Sequence, residues 1–225
     1  MIHNFRSDYK DPDLRQEFIF ILKTLGIVLI PSILTFLQPD TGSVIIYFII
    51  YFCMMFISGI RIRWFLIAGG VLIFFLGIIF GIFFLQQDLF INLFGTDLFY
   101  RFERIFSWQS GTGLQLENAL AAIGSAGFFG HGFNQTPIYF PESSTDFIFA
   151  VFASNFGLFG VIVLLGVIIY FDTQIILLAK RKLLDTDKYI LAGILGMLLF
   201  QQVQNIGMTV GLLPITGITL PFVSY

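Results

Sequence analysis

One carboxylate stands where a polar loop runs into a long apolar stretch: Asp146, within Pro141-Glu142-Ser143-Ser144-Thr145-Asp146-Phe147-Ile148-Phe149-Ala150. Residues of these types have two uses. Ser143, Ser144, Thr145 and Asp146 can cap a helix, because short acceptor side chains satisfy free N–H groups and a negative charge suits the positive end of the helix dipole. The same carboxylate can instead do chemistry, and the residue types alone favour capping. Arg101 and Arg104 lie three apart on one face of an interfacial helix expected over 98–106, where they can anchor against lipid headgroups or pair with Glu103. The glycines between 124 and 132 allow tight turns and close backbone approach, as a packed loop or as a cradle beside a phosphate, although no phosphate-loop spacing is present. Metal chemistry has little to work with, since the chain's two histidines, His3 and His131, have no second soft ligand at metal-site spacing.

The elements that position these residues are membrane helices. The chain is 57% hydrophobic, 18% aromatic and only 12% charged, which takes it out of the range of soluble domains. Lipid accepts its 30 phenylalanines around the whole circumference of a helix. No basic stripe is present for a phosphate backbone, which excludes a nucleic-acid partner. The single cysteine, Cys53, sits in an apolar run and reads as packing.

Five spans are expected, over 18–37, 43–60, 64–85, 147–176 and 189–213, the first of them about the ~20 residues needed to cross the hydrocarbon. Residues 1–17 are charged, lack a signal-peptide pattern and read as a cytoplasmic loop. Arg61, Arg63 and interfacial Trp64 place the short loop between the second and third spans inside, as do Lys180, Arg181, Lys182 and Lys188 for the loop after the fourth. Residues 86–145 then form one large outer loop, too long for an idle connection, and 214–225 begin another outer loop. Gln201, Gln202, Gln204 and Asn205 in the fifth span must pair with other helices or line a polar cavity, with helix pairing favoured. Asp172 is expected to pair with the basic loop that follows it. The architecture is a single all-α, polytopic membrane helical bundle.

Four ordered stretches carry a resemblance. Gln38-Pro39-Asp40-Thr41-Gly42, Ala122-Ile123-Gly124-Ser125-Ala126-Gly127, the Pro141 to Val151 run followed by Gly157 and Gly160, and Asn205-Ile206-Gly207-Met208 through Leu213-Pro214-Ile215-Thr216-Gly217 to Leu220-Pro221-Phe222-Val223-Ser224-Tyr225 resemble the SEDS family of cell-wall proteins, which includes FtsW and RodA. The resemblance implies a ten-helix fold of which this chain is the second half. It implies a peptidoglycan glycosyltransferase that polymerises lipid II during elongation or division, with a class B penicillin-binding protein as partner, in the bacterial cell membrane. Asp146 matches the family's essential aspartate, Glu142 the acid of its Pro-Glu motif, Arg104 with Ile105 an Arg-Ile pair, and Gln115 with Asn118 a glutamine pair.

Joining a sugar hydroxyl to a lipid-pyrophosphate sugar asks for a base and for positive charge on the leaving group. Asp146 is then the catalytic residue, while Glu142, Arg104, Arg101, Gln115 and Asn118 bind substrate. A positioned carboxylate supplies about 10²- to 10⁴-fold as general base, and arginine forks suit pyrophosphate oxygens. No cofactor is certain and a divalent cation is possible. Relatives begin with four further helices and continue past Tyr225, so the chain is expected to be a fragment or a decayed copy. The alternatives are a lipid II transporter, with the amides of the fifth span lining its path, and a non-catalytic assembly subunit.

Overall fold

The computed structural model describes residues 2, 3, 5, 12–38, 40–106, 114–139, 142–181 and 184–224. Among the described residues all regular structure is helical. The chain divides into two compact units, residues 1–59 with 114–225, and residues 60–113.

In the first unit, α1 (Leu14–Leu37) and α2 (Thr41–Ile57) form a hairpin. Asp13 caps α1 in a capping box with Gln16, and Asp40 caps α2 by accepting from the Ser43 N–H at 3.0 Å. The hairpin is tied by polar groups between otherwise apolar faces: the Thr24 and Tyr51 hydroxyls lie 3.1 Å apart, and Tyr51 also donates to the Ile21 carbonyl at 3.3 Å. Such bonds suit helix pairs in lipid, where water offers no alternative.

Next come α6 (Leu114–Ser125), α7 (Ile148–Ala179) and α8 (Asp185–Thr209). Helix α8 packs on α2 and α7, and α6 lies against α7 with Leu116, Ala119 and Ala122 buried at helical spacing. Small residues set the α2–α8 approach. A Cβ at Gly193 would come within 3.1 Å of Ile50 and Met54, and one at Gly196 would collide with the Cys53 sulfur. Cys53 is thus a packing residue, as its apolar setting suggests.

In the second unit, α3 (Ile62–Leu85) is followed by α4 (Gln87–Phe94) and α5 (Thr96–Phe106), so a helix covers the expected 98–106 and begins two residues earlier. The most apolar stretch of α3 is entirely unburied within the chain. At its C-terminal end the three helices share an aromatic cluster. Phe83 meets Phe90 at 5.4 Å and Phe99 at 5.3 Å between ring centroids, Phe90 meets Phe102 at 5.5 Å, and Phe90 is fully buried.

Four helices, α1, α3, α7 and α8, are long and apolar enough to cross a membrane. The remaining expected span, α2, has 17 residues, or about 26 Å, at the short end for the hydrocarbon thickness. It stops at Ile57 rather than at 60, because Ser58 and Gly59 (φ +76) turn the chain. Helix α8 ends at Thr209, four residues before the expected limit. Gly211 takes a left-handed φ of +78° and the Leu212 N–H closes back on the Gly207 carbonyl at 2.8 Å, a glycine-stopped C-terminus that the apolar Leu212 and Leu213 conceal. Asp172 accepts from Gln202 of α8 at 3.2 Å, a helix-to-helix bond in place of the basic-loop partner expected for it.

Candidate functional site

Helix α7 is not continuous. Gly157 has φ 64° and ψ −165°, which breaks the helical ladder and would orphan backbone groups on both sides. The glycine-rich loop repairs the break. His131 N–H donates to the Ser154 carbonyl and Gly132 N–H to the Asn155 carbonyl, both at 3.0 Å; Leu158 N–H donates to the Gly127 carbonyl at 3.1 Å and Phe159 N–H to the Phe128 carbonyl at 3.0 Å. The Thr136 hydroxyl adds a bond to the Asn155 side chain at 2.9 Å. Backbones come so near that a Cβ on Gly130 would strike the Asn155 carbonyl, and one on Gly157 would strike the Gly130 nitrogen. Of the 124–132 glycines, Gly130 thus serves close backbone approach while Gly127 and Gly132 supply left-handed turns, and the loop's N–H groups at 131 and 132 are taken up by α7. The break leaves 158–179, about 33 Å of helix, as the length that matches a bilayer. The 148–156 segment is a separate stretch of about two and a half turns that carries Asp146 at its head.

The residues before that segment do not cap it. The N-cap position is Phe147, with no side-chain cap bond. Residues 142–147 instead form a turn that closes on Glu142: its carbonyl accepts from Phe147 N–H at 3.1 Å, and its carboxylate accepts the Thr145 hydroxyl at 2.8 Å. Glu142 holds a left-handed φ of 54°. The capping use favoured by residue type is therefore overturned, because residues 142–147 are spent on this turn and the helix starts after it, with Phe147 at the N-cap. Among the described residues nothing donates a hydrogen bond to the Asp146 carboxylate.

The backbone of Asp146, by contrast, is held from several directions. Phe147 is 1% exposed and anchors the next position. The Asn205 amide of α8 donates to the Asp146 carbonyl at 2.8 Å and to the Ile218 carbonyl at 2.7 Å. The Ser224 hydroxyl donates to the Thr145 carbonyl at 2.8 Å and accepts from Leu220 N–H at 2.8 Å. Beyond α8, 210–224 form no helix and run back over these groups, fastened at their start by Gln204 to the Pro214 carbonyl at 2.8 Å. A Cβ on Gly217 (φ +71) would lie 3.4 Å from the Asp146 carboxylate oxygen, and one on Gly42 would lie 3.2 Å from the Thr216 carbonyl. The 216–218 backbone is thus packed between the acid and the start of α2.

Burial raises the Asp146 carboxyl above the usual carboxylate value, and the Glu142 charge adds to the effect. The result is a half-buried acid with a heightened affinity for protons and a carboxylate free to meet an incoming group.

Of the six expected site residues, Asp146 and Glu142 share one turn. Gln115 and Asn118 are half-exposed beside the buried stripe of α6, and neither is hydrogen-bonded to Asp146 among the described residues. Arg101 and Arg104 belong to α5 in the other unit, with side chains outside the described part of the structure. Pro141 also lies outside the described residues. Helix pairing, favoured for the amides of α8, holds for Gln202, which bonds to Asp172 of α7, whereas Gln204 and Asn205, both buried, bond to backbone carbonyls, Asn205 to that of the acid itself. The available signal was the position of Asn205 one helical turn from Gln201 in an apolar span, which marks a polar partner without naming it.

A family model described as "Cell cycle protein", FTSW_RODA_SPOVE, matches residues 3–225. The probable peptidoglycan glycosyltransferase FtsW of Saccharophagus degradans is 33% identical over 228 residues, covering 96% of this chain and 55% of that protein. Its counterpart in Bacillus subtilis is 38% identical over 200 residues, covering 84% and 48%. Stage V sporulation protein E of the same organism is 33% identical over 214 residues, covering 89% and 53%. Among solved structures, a chain from "Structural coordination of polymerization and crosslinking by a peptidoglycan synthase complex" superposes with a TM-score of 0.68 at 27% identity, covering 89% of this chain and 54% of that one. The chain spans about half the length of the curated relatives it matches. A match running through nearly every residue, on a bundle of apolar helices, establishes this chain as a member of the FtsW, RodA and SpoVE family, the SEDS family, and a multi-pass protein of the bacterial cell membrane.

Proposed function

We propose that the chain carries the catalytic carboxylate of a peptidoglycan glycosyltransferase that extends glycan strands from lipid II, with Asp146 as general base. One observation carries this reading: the Asp146 carboxylate is half-buried and proton-avid, not used as a cap, and attached to a backbone pinned by two other segments. In the proposed step Asp146 takes the proton of the acceptor sugar hydroxyl as that oxygen bonds to the anomeric carbon, and the pyrophosphate leaves with the electron pair of the broken bond. Direct displacement inverts the anomeric configuration. Glu142 raises the basicity of the acid, and with Gln115 and Asn118 it is proposed to contact the sugars. Arg104 and Arg101 are proposed to hold the pyrophosphate oxygens.

A divalent ion would find two carboxylates here, Asp146 and Glu142. No group of three or more metal-ligating side chains exists among the described residues, so such an ion would draw most of its oxygens from pyrophosphate and water. A penicillin-binding transpeptidase is the proposed partner, supported by the synthase complex to which the fold is similar. The enzyme reading is preferred to the transporter alternative because three of the four amides named for a transport path, Gln202, Gln204 and Asn205, make bonds within the protein.

The test is purified protein in detergent with lipid II. Glycan polymer that falls by about 10²-fold or more with Asp146→Asn supports the base role. Polymer formed at the unaltered rate by that variant would sink it.

A further inference from the structure

We infer that Asn205 is a positioning residue that holds Asp146 in register through its backbone, with Ser224 as a second tie. Both donors of the Asn205 amide are used on carbonyls of segments distant in sequence, Asp146 at 2.8 Å and Ile218 at 2.7 Å, so one side chain splices the acid's backbone to the 216–218 strip. Ser224 repeats the arrangement one residue back, donating to Thr145 and accepting from Leu220. The carboxylate lies beside Gly217, whose φ of +71° lets the strip pass there without a side chain.

A second observation points the same way. Asn205 is fully buried, and its Oδ1 has no hydrogen-bond partner among the described residues. A buried acceptor left unmatched is unfavourable, so the residue's own satisfaction does not explain its placement. Its two N–H groups do, and both act on the segments that flank the acid. A carboxylate fixed this way loses little freedom when substrate arrives, and a shift of about 1 Å in such a group can cost about 10²-fold in rate.

The inference rests on Asp146 being the base, and its test is built to separate the two claims. The full chain, purified in detergent, is treated with dicyclohexylcarbodiimide, an apolar reagent that attacks protonated carboxyls, across a pH series. Adduct at Asp146 is quantified by mass spectrometry. Burial and Glu142 keep the carboxyl protonated beyond the usual carboxylate range, and residues 204–224 place no titratable side chain against it. Asn205→Ala is expected to hydrate the carboxyl and move the labelling curve to lower pH. It should also lower kcat for glycan formation by about 10²-fold with KM changed by less than about threefold.

Ser224→Ala should act in the same direction more weakly, and Ser224→Thr, which keeps the hydroxyl, should restore both readouts. If Asn205→Ala does not yield folded protein, the two Ser224 variants decide. A labelling curve and kcat unchanged in folded Asn205→Ala, or in Ser224→Ala where Asn205→Ala does not fold, would overturn the inference. If Asp146→Asn still makes polymer, the base role fails, yet a labelling curve moved by Asn205→Ala would still establish that Asn205 positions the carboxyl.

Discussion

The turn around Asp146 and the head formed by α3, α4 and α5 both finish off membrane helices, and they are held by opposite means. Around Asp146 the contacts are backbone to backbone and amide to carbonyl, made possible by glycines at 130, 157 and 217 where any side chain would collide or strain. In the head the contacts are ring to ring, centred on Phe83 and Phe90, and the glycines of α3 at 69, 70, 77 and 81 have nothing within 4 Å of a would-be Cβ. Directional bonds fix a group to within fractions of an ångström. Ring clusters adhere strongly but tolerate sliding. Chemistry that needs a carboxylate in one place belongs with the first kind of construction.

Glycine replacement tests the contrast most severely. Gly157→Ala or Gly130→Ala should cost upward of about 4 kcal/mol, read as loss of monodisperse, thermally stable protein in detergent, because backbone must move to admit the methyl. A well-folded Gly157→Ala would break the argument. In the head, Phe90→Ala should cost about 3 kcal/mol by removing the fully buried centre of the cluster, read as a lowered Tm.

Charge comes next in size. Because the folded protein holds the Asp146 proton more tightly than the unfolded chain does, stability falls as pH rises from the ordinary carboxylate value through the raised one, and stays reduced above it. Asp146→Asn should therefore raise Tm at neutral pH, with the gain vanishing in acid. Glu142→Gln removes one cause of the raised value, so the acid limb of the rate profile should move to lower pH. At the small end, Gly77→Ala should change stability by no more than about 0.5 kcal/mol in thermal melts, since its site is open.

The spans were legible because an apolar run near twenty residues has few other uses: 18–37 and 64–85 answer closely to Leu14–Leu37 and Ile62–Leu85. Asp146 at the head of the fourth span was legible for the same reason, as a lone charge at a boundary. The break at Gly157 was not, since glycine in an apolar helix gives the same letters whether the ladder is whole or cut. Neither was the failure of Ser143 to Asp146 to cap, which follows from a left-handed Glu142 that sequence does not announce. The role of Asn205 depends on carbonyls 59 and 13 residues away, a pairing that no local pattern encodes.

The 214–224 strip has a consequence for biosynthesis. The tie from Ser224 to Thr145 joins residues 79 apart, so it cannot exist while the ribosome is still making what lies between. A nascent chain halted before Pro214 would leave the acid without the strip that covers it, and carbodiimide labelling of such stalled chains should follow a carboxyl closer to the ordinary value, with only Glu142 still raising it. Closure of the turn around Asp146 is thereby deferred until translation has passed the strip, so this part of the bundle sets only after the helices on either side of it are made.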